Sequence, residues 1–198
     1  MTPPLILLAS ASPRRSALLN QIGVAHAVRP VEVDESVRSG EAPSAYVLRL
    51  AETKAAALWD RLEDHERAPV LAADTTVALE GEIFGKPADI GEARAMLGRL
   101  SGRTHEVHTA VAVRHVDGAA ARISSSSVSL RELTSEEIDA YWATGEPADK
   151  AGGYAVQGRA AVFIRHIAGS YSGIMGLPLY ETSELLATML GHAGSGPA

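Results

Sequence analysis

Cysteine is missing from all 198 residues, which excludes disulfides and thiolate catalysis and fits a cytoplasmic protein. Long hydrophobic runs are missing too. Nothing approaches the ~18 apolar residues that span a bilayer, so no membrane partner is expected. The N-terminal run "PLILLAS" ends at Ser10. With no basic residue before it, this run makes a poor signal peptide and a good buried strand. A basic excess is the third absence. Eighteen Lys+Arg against 24 Asp+Glu leave a formal net charge of −6, which argues against stable nucleic-acid binding but not against a small phosphate pocket. What is present is ordinary globular material, 46% hydrophobic. Its length suits one domain with a real core, residues 1–192, followed by a small, polar, flexible tail over 193–198.

The pattern along the chain alternates strands and helices. After the first strand, Ser12 and Pro13 have the chemistry of an N-cap and first helical position, and Gly23 that of a C-terminal stop. "AHAVRPV" reads as a short strand, followed by an acidic loop containing "VDES". Tyr46, Leu50, Lys54, Leu58 and Leu62 recur every four residues, which predicts a helix from about Pro43 to Leu62 and puts Lys54 on an apolar stripe. "APVLAADTTVALEG" is the most strand-like run and carries one carboxylate, Asp74. Asp89 with Glu92, and Thr134 with Glu137, have capping-box spacing. Alternating runs on either side of Asp117-Gly118 predict a hairpin. "AAVFIRHI" reads as a further strand and "GLPLYETSELLATML" as a closing helix. The order gives one α/β domain around a mixed sheet with an inserted antiparallel hairpin.

Two tempting signatures fail. "GEIFGKP" has one residue too few between its glycines for a P-loop, and Pro87 stands where that loop needs Ser or Thr. "HEVH" is not a zinc-protease motif, because His105 and His108 on a strand point to opposite faces. For the seven histidines we expect surface or core packing. Ser124 to Ser127 read as a solvated strand face.

"SASPRR" is different. Two arginines at a helix N-terminus oppose the backbone dipole at a cost of about 0.3–1 kcal/mol each. They make sense if Ser10, Ser12, Arg14, Arg15 and the free N–H groups converge on an anion. Asp74, set between Leu71, Ala72 and Val77, is expensive to bury unless it is paired, bound to metal or used as a base. Lys86 precedes a proline-fixed turn. "ADKAGGYAVQGRA" sets Lys150 and Gln157 among glycines that let backbone approach a ligand. Together these suit a polyphosphate with a divalent cation between phosphates and carboxylates.

In order and spacing, "LASASPRRSALL", "VDE", "AADTTV", "GKP", "LSGRTHEVHTAV", "DKAGGYAVQG" and "GSYSGIMGLPL" resemble the Maf family of nucleoside triphosphate pyrophosphatases, over about Leu5 to Leu190. The resemblance implies a three-layer α/β/α fold with a mixed sheet, similar to inosine-triphosphate pyrophosphatases, in a cytoplasmic homodimer. It implies hydrolysis of a nucleoside triphosphate to the monophosphate and pyrophosphate with Mg2+ or Mn2+. Matched by position, Asp74 is the proton acceptor and Glu35 the acid that helps hold metal or water, so Glu35 and Asp74 are the expected metal ligands. Ser10, Ser12, Arg14 and Arg15 match the phosphate-gripping loop, and Lys54 and Lys86 the lysines around the triphosphate. Thr75 and Gln157 mark the dTTP/UTP branch. Ser172-Gly173 departs from the commonest pattern.

Base chemistry agrees with that branch. Uracil and thymine present acceptor, donor, acceptor along their pairing edge, and a glutamine amide can both donate to a carbonyl and accept from the ring N–H. A mismatched buried polar group costs about 1–3 kcal/mol. The alternatives are the same chemistry on another base, such as 7-methyl-GTP, and a non-catalytic regulator of cell division.

Overall fold

The computed structural model describes residues 5–191; the expected tail over 193–198 lies outside them. Seven strands form one sheet: β1 (Ile6–Leu8), β2 (His26–Val28), β3 (Val70–Leu79), β4 (Glu82–Phe84), β5 (Thr104–His115), β6 (Gly118–Leu130) and β7 (Ile164–Ala168). Their order is β2-β1-β3-β5-β6-β7, with β4 also paired to β3. β1 runs parallel to β2 and β3, and the remaining pairs are antiparallel. The mixed sheet expected from the sequence is therefore present.

Six helices accompany it: α1 (Pro13–Gln21), α2 (Pro43–Trp59), α3 (Ile90–Leu100), α4 (Ser135–Trp142), α5 (Tyr171–Met175) and α6 (Leu179–Leu190). Strand alternation assigns their places. Leu7, Val70 and Ala72 join Val47, Ala51, Ala55 and Leu58 of α2 in one core. Ile6, Leu8, Leu71 and Ala73, one residue out of step, join Leu18 and Leu19 of α1 and Leu185 and Leu186 of α6 in another. Burying both faces this way produces three layers. A third core under α3 and α4 gathers Leu97, Leu100, Val128, Leu130 and Ile138 around the far end of β3.

Several local expectations shift. The α2 helix ends at Trp59 rather than Leu62, although Leu62 still packs on the same core. Ser12 occupies the N-cap of α1, but its hydroxyl makes no cap bond. The Asp89 carboxylate caps α3 on Glu92 N, while Glu92 reaches back to Ala88 N rather than to the cap residue; the Thr134–Glu137 box closes in both directions. His115 pairs with Gly118, so the hairpin turns on Val116-Asp117, one residue earlier than expected. "AAVFIRHI" is strand only from Ile164. Arg159–Phe163 winds as a 3-10 turn that buries Ala160 and Phe163. The serine run is not a solvated face: Ser124 and Ser126 are buried while Ser125 is exposed.

Candidate active site

Along one edge, β3 is paired with β1 at Val70 and Leu71 and with β4 from Val77 onward. Among the described residues no strand pairs 72–76 on that edge, and a cleft of about 950 Å³ opens there, beyond the C-terminal end of β1. Crevices at strand ends are where open α/β sheets admit ligands. All ten residues singled out from the sequence line this cleft.

Alternation sends Asp74 and Thr75 to opposite faces of β3. Asp74 shares the phase of Val70 and Ala72 and so meets α2, where the apolar stripe has carried Lys54 inward. Lys54 Nζ donates to Asp74 Oδ1 at 2.6 Å and lies 2.6 Å from Glu35 Oε1. Glu35 comes from an irregular loop that α2 pins from outside. The Tyr46 hydroxyl donates to the Glu35 carbonyl at 3.0 Å, and Arg49 donates to the Ser36 carbonyl at 3.0 Å. One ammonium therefore bridges two carboxylates, the three groups coming from three segments. Burial raises the Asp74 pKa above the ordinary aspartate value, only partly offset by Lys54 and Arg15. Burial pushes Glu35 in the same direction, but its hydrogen bond to Lys54 and the charges of Lys54, Lys86 and Arg15 outweigh it and hold Glu35 low. The two acids are thus driven apart, the usual arrangement when one is to hold a proton and the other a charge.

Thr75 shares the other phase and meets α1. Arg15 donates through Nε to the Gly176 carbonyl at 2.8 Å, through Nη1 to Ser10 Oγ at 3.0 Å and through Nη2 to Thr75 Oγ1 at 3.4 Å. Three of its five N–H groups are used by the protein, leaving two for a ligand. Burial lowers its pKa. Ser10 Oγ also accepts from Ser12 N at 3.2 Å, so both its lone pairs are used and its own proton remains to be given. Arg14 has one long ion pair, Nη1 to Asp149 Oδ2 at 3.7 Å. The arginines thus divide their work, Arg15 bound into the frame and Arg14 facing the cleft.

The remaining predicted residues are exposed. Lys86 lies on the loop after β4, and neither its ammonium nor the Gln157 amide has a side-chain partner among the described residues. Both loops are held from below. Gly152 N donates to the Gly85 carbonyl at 2.9 Å. Gly152 has φ +69°, and a Cβ there would stand 3.0 Å from Val77, so glycine is required. Next to it Tyr154 is buried with its hydroxyl 2.7 Å from His105 Nε2. Burial brings His105 down to about 4.

The donor chemistry fits a divalent cation. Asp74 and Glu35 both line the cleft and meet Lys54 through Oδ1 and Oε1, which leaves one oxygen of each carboxylate without a partner among the described residues, a hard-oxygen pair. Among the described residues no group of three or more His, Asp or Glu could hold a metal without help. Mg2+ and Mn2+ favour carboxylate oxygens. Sequence reasoning missed Arg49, which holds the Glu35 loop, and Thr109, which lies behind Thr75. Thr109 stood inside the matched motif "LSGRTHEVHTAV" without being singled out.

The Maf-like protein family model matches residues 5–189. The chain belongs to the Maf family. Its Maf relatives include proteins named dTTP/UTP pyrophosphatase. One, from Methylococcus capsulatus, is 53% identical, the match covering 98% of this chain and 93% of the relative. Another, from Alkalilimnicola ehrlichii, is 54% identical, covering 92% of each. In fold this Maf chain is similar to the Staphylococcus aureus Ham1 protein, with TM-score 0.51 and 15% identity, covering 96% of this chain and all of that one. No described helix is long and apolar enough to cross a membrane.

Proposed function

We propose that this Maf protein hydrolyses dTTP and UTP to the monophosphate and pyrophosphate. The observation that carries the reading is the joining of an anion site, Ser10, Arg14 and Arg15, to the Glu35–Lys54–Asp74 cluster across one cleft. Relatives more than 50% identical and named for this activity support it.

In the reaction, water forms a bond to phosphorus, the phosphoanhydride oxygen leaves with pyrophosphate, and the water's proton passes to a base. Asp74 is that base, with Lys54 holding its Oδ1. An unperturbed carboxylate is about 12 pKa units, or ~16 kcal/mol, below bulk water, and burial of Asp74 narrows that gap only in part. Glu35 and Asp74 would hold Mg2+ or Mn2+, which when bound supplies a lower water pKa and neutralises phosphate charge. Arg14, Lys86 and the two spare N–H groups of Arg15 stabilise the departing pyrophosphate. Gln157 pairs with the base edge. A homodimer in the cytoplasm belongs to the same reading.

The test is pyrophosphate release from dTTP, UTP, 7-methyl-GTP and ITP side by side, with Mg2+ and with Mn2+. Preference for the pyrimidines is expected. Preference for a purine overturns the base assignment, and no turnover of any nucleotide moves the non-catalytic role ahead. Light scattering of the purified protein reads the dimer.

A further inference from the structure

Thr109 is 1% exposed, in the middle of β5 and directly opposite Thr75 in the β3–β5 ladder. Its Oγ1 lies 3.0 Å from Thr75 Oγ1 and 2.7 Å from the Gly173 carbonyl. A hydroxyl has one proton and a carbonyl only accepts. Thr109 is the donor in both contacts, so its single proton is shared between Thr75 Oγ1 and the shorter contact to the Gly173 carbonyl. Thr75 Oγ1 also accepts from Arg15 Nη2 at 3.4 Å, so it is held between Thr109 and the guanidinium.

The same segment also receives Arg15 directly. Arg15 Nε donates to Gly176 O, which lies just past α5. Gly176 has φ +118°, and a Cβ there would stand 3.6 Å from both Arg15 Nε and Thr75 Oγ1. The 170–176 segment thus offers two carbonyls, one reached by the guanidinium directly and one through two threonines. A cation disfavoured at the start of α1 is met by carbonyls at the end of α5, where cations are favoured.

We propose that Thr109 is a positioning residue for Arg15, setting the guanidinium through Thr75 and locking the 170–176 segment beneath it. Thr109 touches no substrate. Its hydroxyl holds Thr75 Oγ1 where that oxygen accepts from Arg15 Nη2. The "SYSGIMG" stretch acquires a role by the same route, since its contribution at Gly173 and Gly176 is made by backbone. This rests on the proposed anion site, and its test separates the two.

The experiment is a double-mutant cycle of Thr109→Val and Arg15→Lys, with Thr109→Ser as the conservative variant. UTP turnover and UTP affinity by calorimetry are both read. Valine keeps the shape and removes the hydroxyl; lysine keeps the charge and cannot reproduce the three-way fork. We expect Thr109→Val to lower kcat/KM and UTP affinity by about tenfold in the wild-type background. In the Arg15→Lys background the loss should shrink to less than about threefold, because coupled groups are non-additive. Thr109→Ser should stay near wild type. Equal fold losses in both backgrounds, or no loss for the valine variant, overturn the proposal. If the wild type turns over no nucleotide, the proposed activity falls and the cycle is still read from UTP affinity. A wild type that does not bind UTP overturns both.

Discussion

Lys54 Nζ sits 2.6 Å from Asp74 Oδ1, with the lysine side chain 11% exposed and the aspartate 10%. A helix stripe and a strand meet at that contact, and Asp74 lines the cleft. The first expectation follows directly. Asp74→Asn keeps the shape and the acceptor for Lys54 but cannot take a proton, so turnover should fall by about 10²–10⁴. Nucleotide affinity should stay within a few-fold of wild type. Pyrophosphate release and calorimetric binding measure the two halves, and near wild-type turnover rules the mechanism out.

The arginines should part company. Arg14→Ala removes a cleft-facing charge with one long ion pair, so KM should rise while the unfolding midpoint barely moves. Arg15→Ala also strips donors from Ser10, Thr75 and Gly176, each unmade bond costing on the order of 1 kcal/mol or more. Its midpoint should fall by several degrees along with activity. Thermal melts beside steady-state kinetics separate them.

His105 carries a pH signature. Its folded value of about 4 lies below the ordinary 6.5, so between those values the unfolded chain binds the extra proton and stability drops as pH falls. Full at neutral pH and lost through that window, the contribution is roughly 3 kcal/mol. His105→Gln, which keeps an amide near Tyr154, should flatten this part of the profile. Urea unfolding at pH 7 and pH 4.5 checks it; parallel wild-type and variant profiles would count against it.

Gln157 is exposed and its amide has no partner among the described residues, so Gln157→Glu should leave the melting temperature unchanged. It places an acceptor against a pyrimidine carbonyl. Preference for dTTP and UTP over 7-methyl-GTP should fall by roughly 5- to 150-fold, the range set by one mismatched polar pair. Competition assays with mixed nucleotides give the ratio.

Most of the elements were legible because their signals are local. Ser12-Pro13, the Thr134–Glu137 box and the alternation of β3 report on neighbours within a few residues. Boundaries slipped where tertiary packing overrode propensity, as at Arg159–Phe163, whose apolar run is buried by a 3-10 turn instead of a strand. The serine run misled because alternation buries every second residue whatever its polarity.

By itself the sequence determined the α/β order and raised the expectation of an anion beside "SASPRR", because helix and strand periods, caps and charge placement are written in adjacent residues. The full set of ten cleft residues came from the match to the Maf motifs. Tertiary structure alone decided that Lys54 bridges Glu35 and Asp74, and that Arg15 is spent on a carbonyl 161 positions away while Arg14 is left to the cleft. It alone placed Thr109 behind Thr75. Those contacts depend on strand register and on how α1, α2 and α5 pack against the sheet, which no local signal specifies.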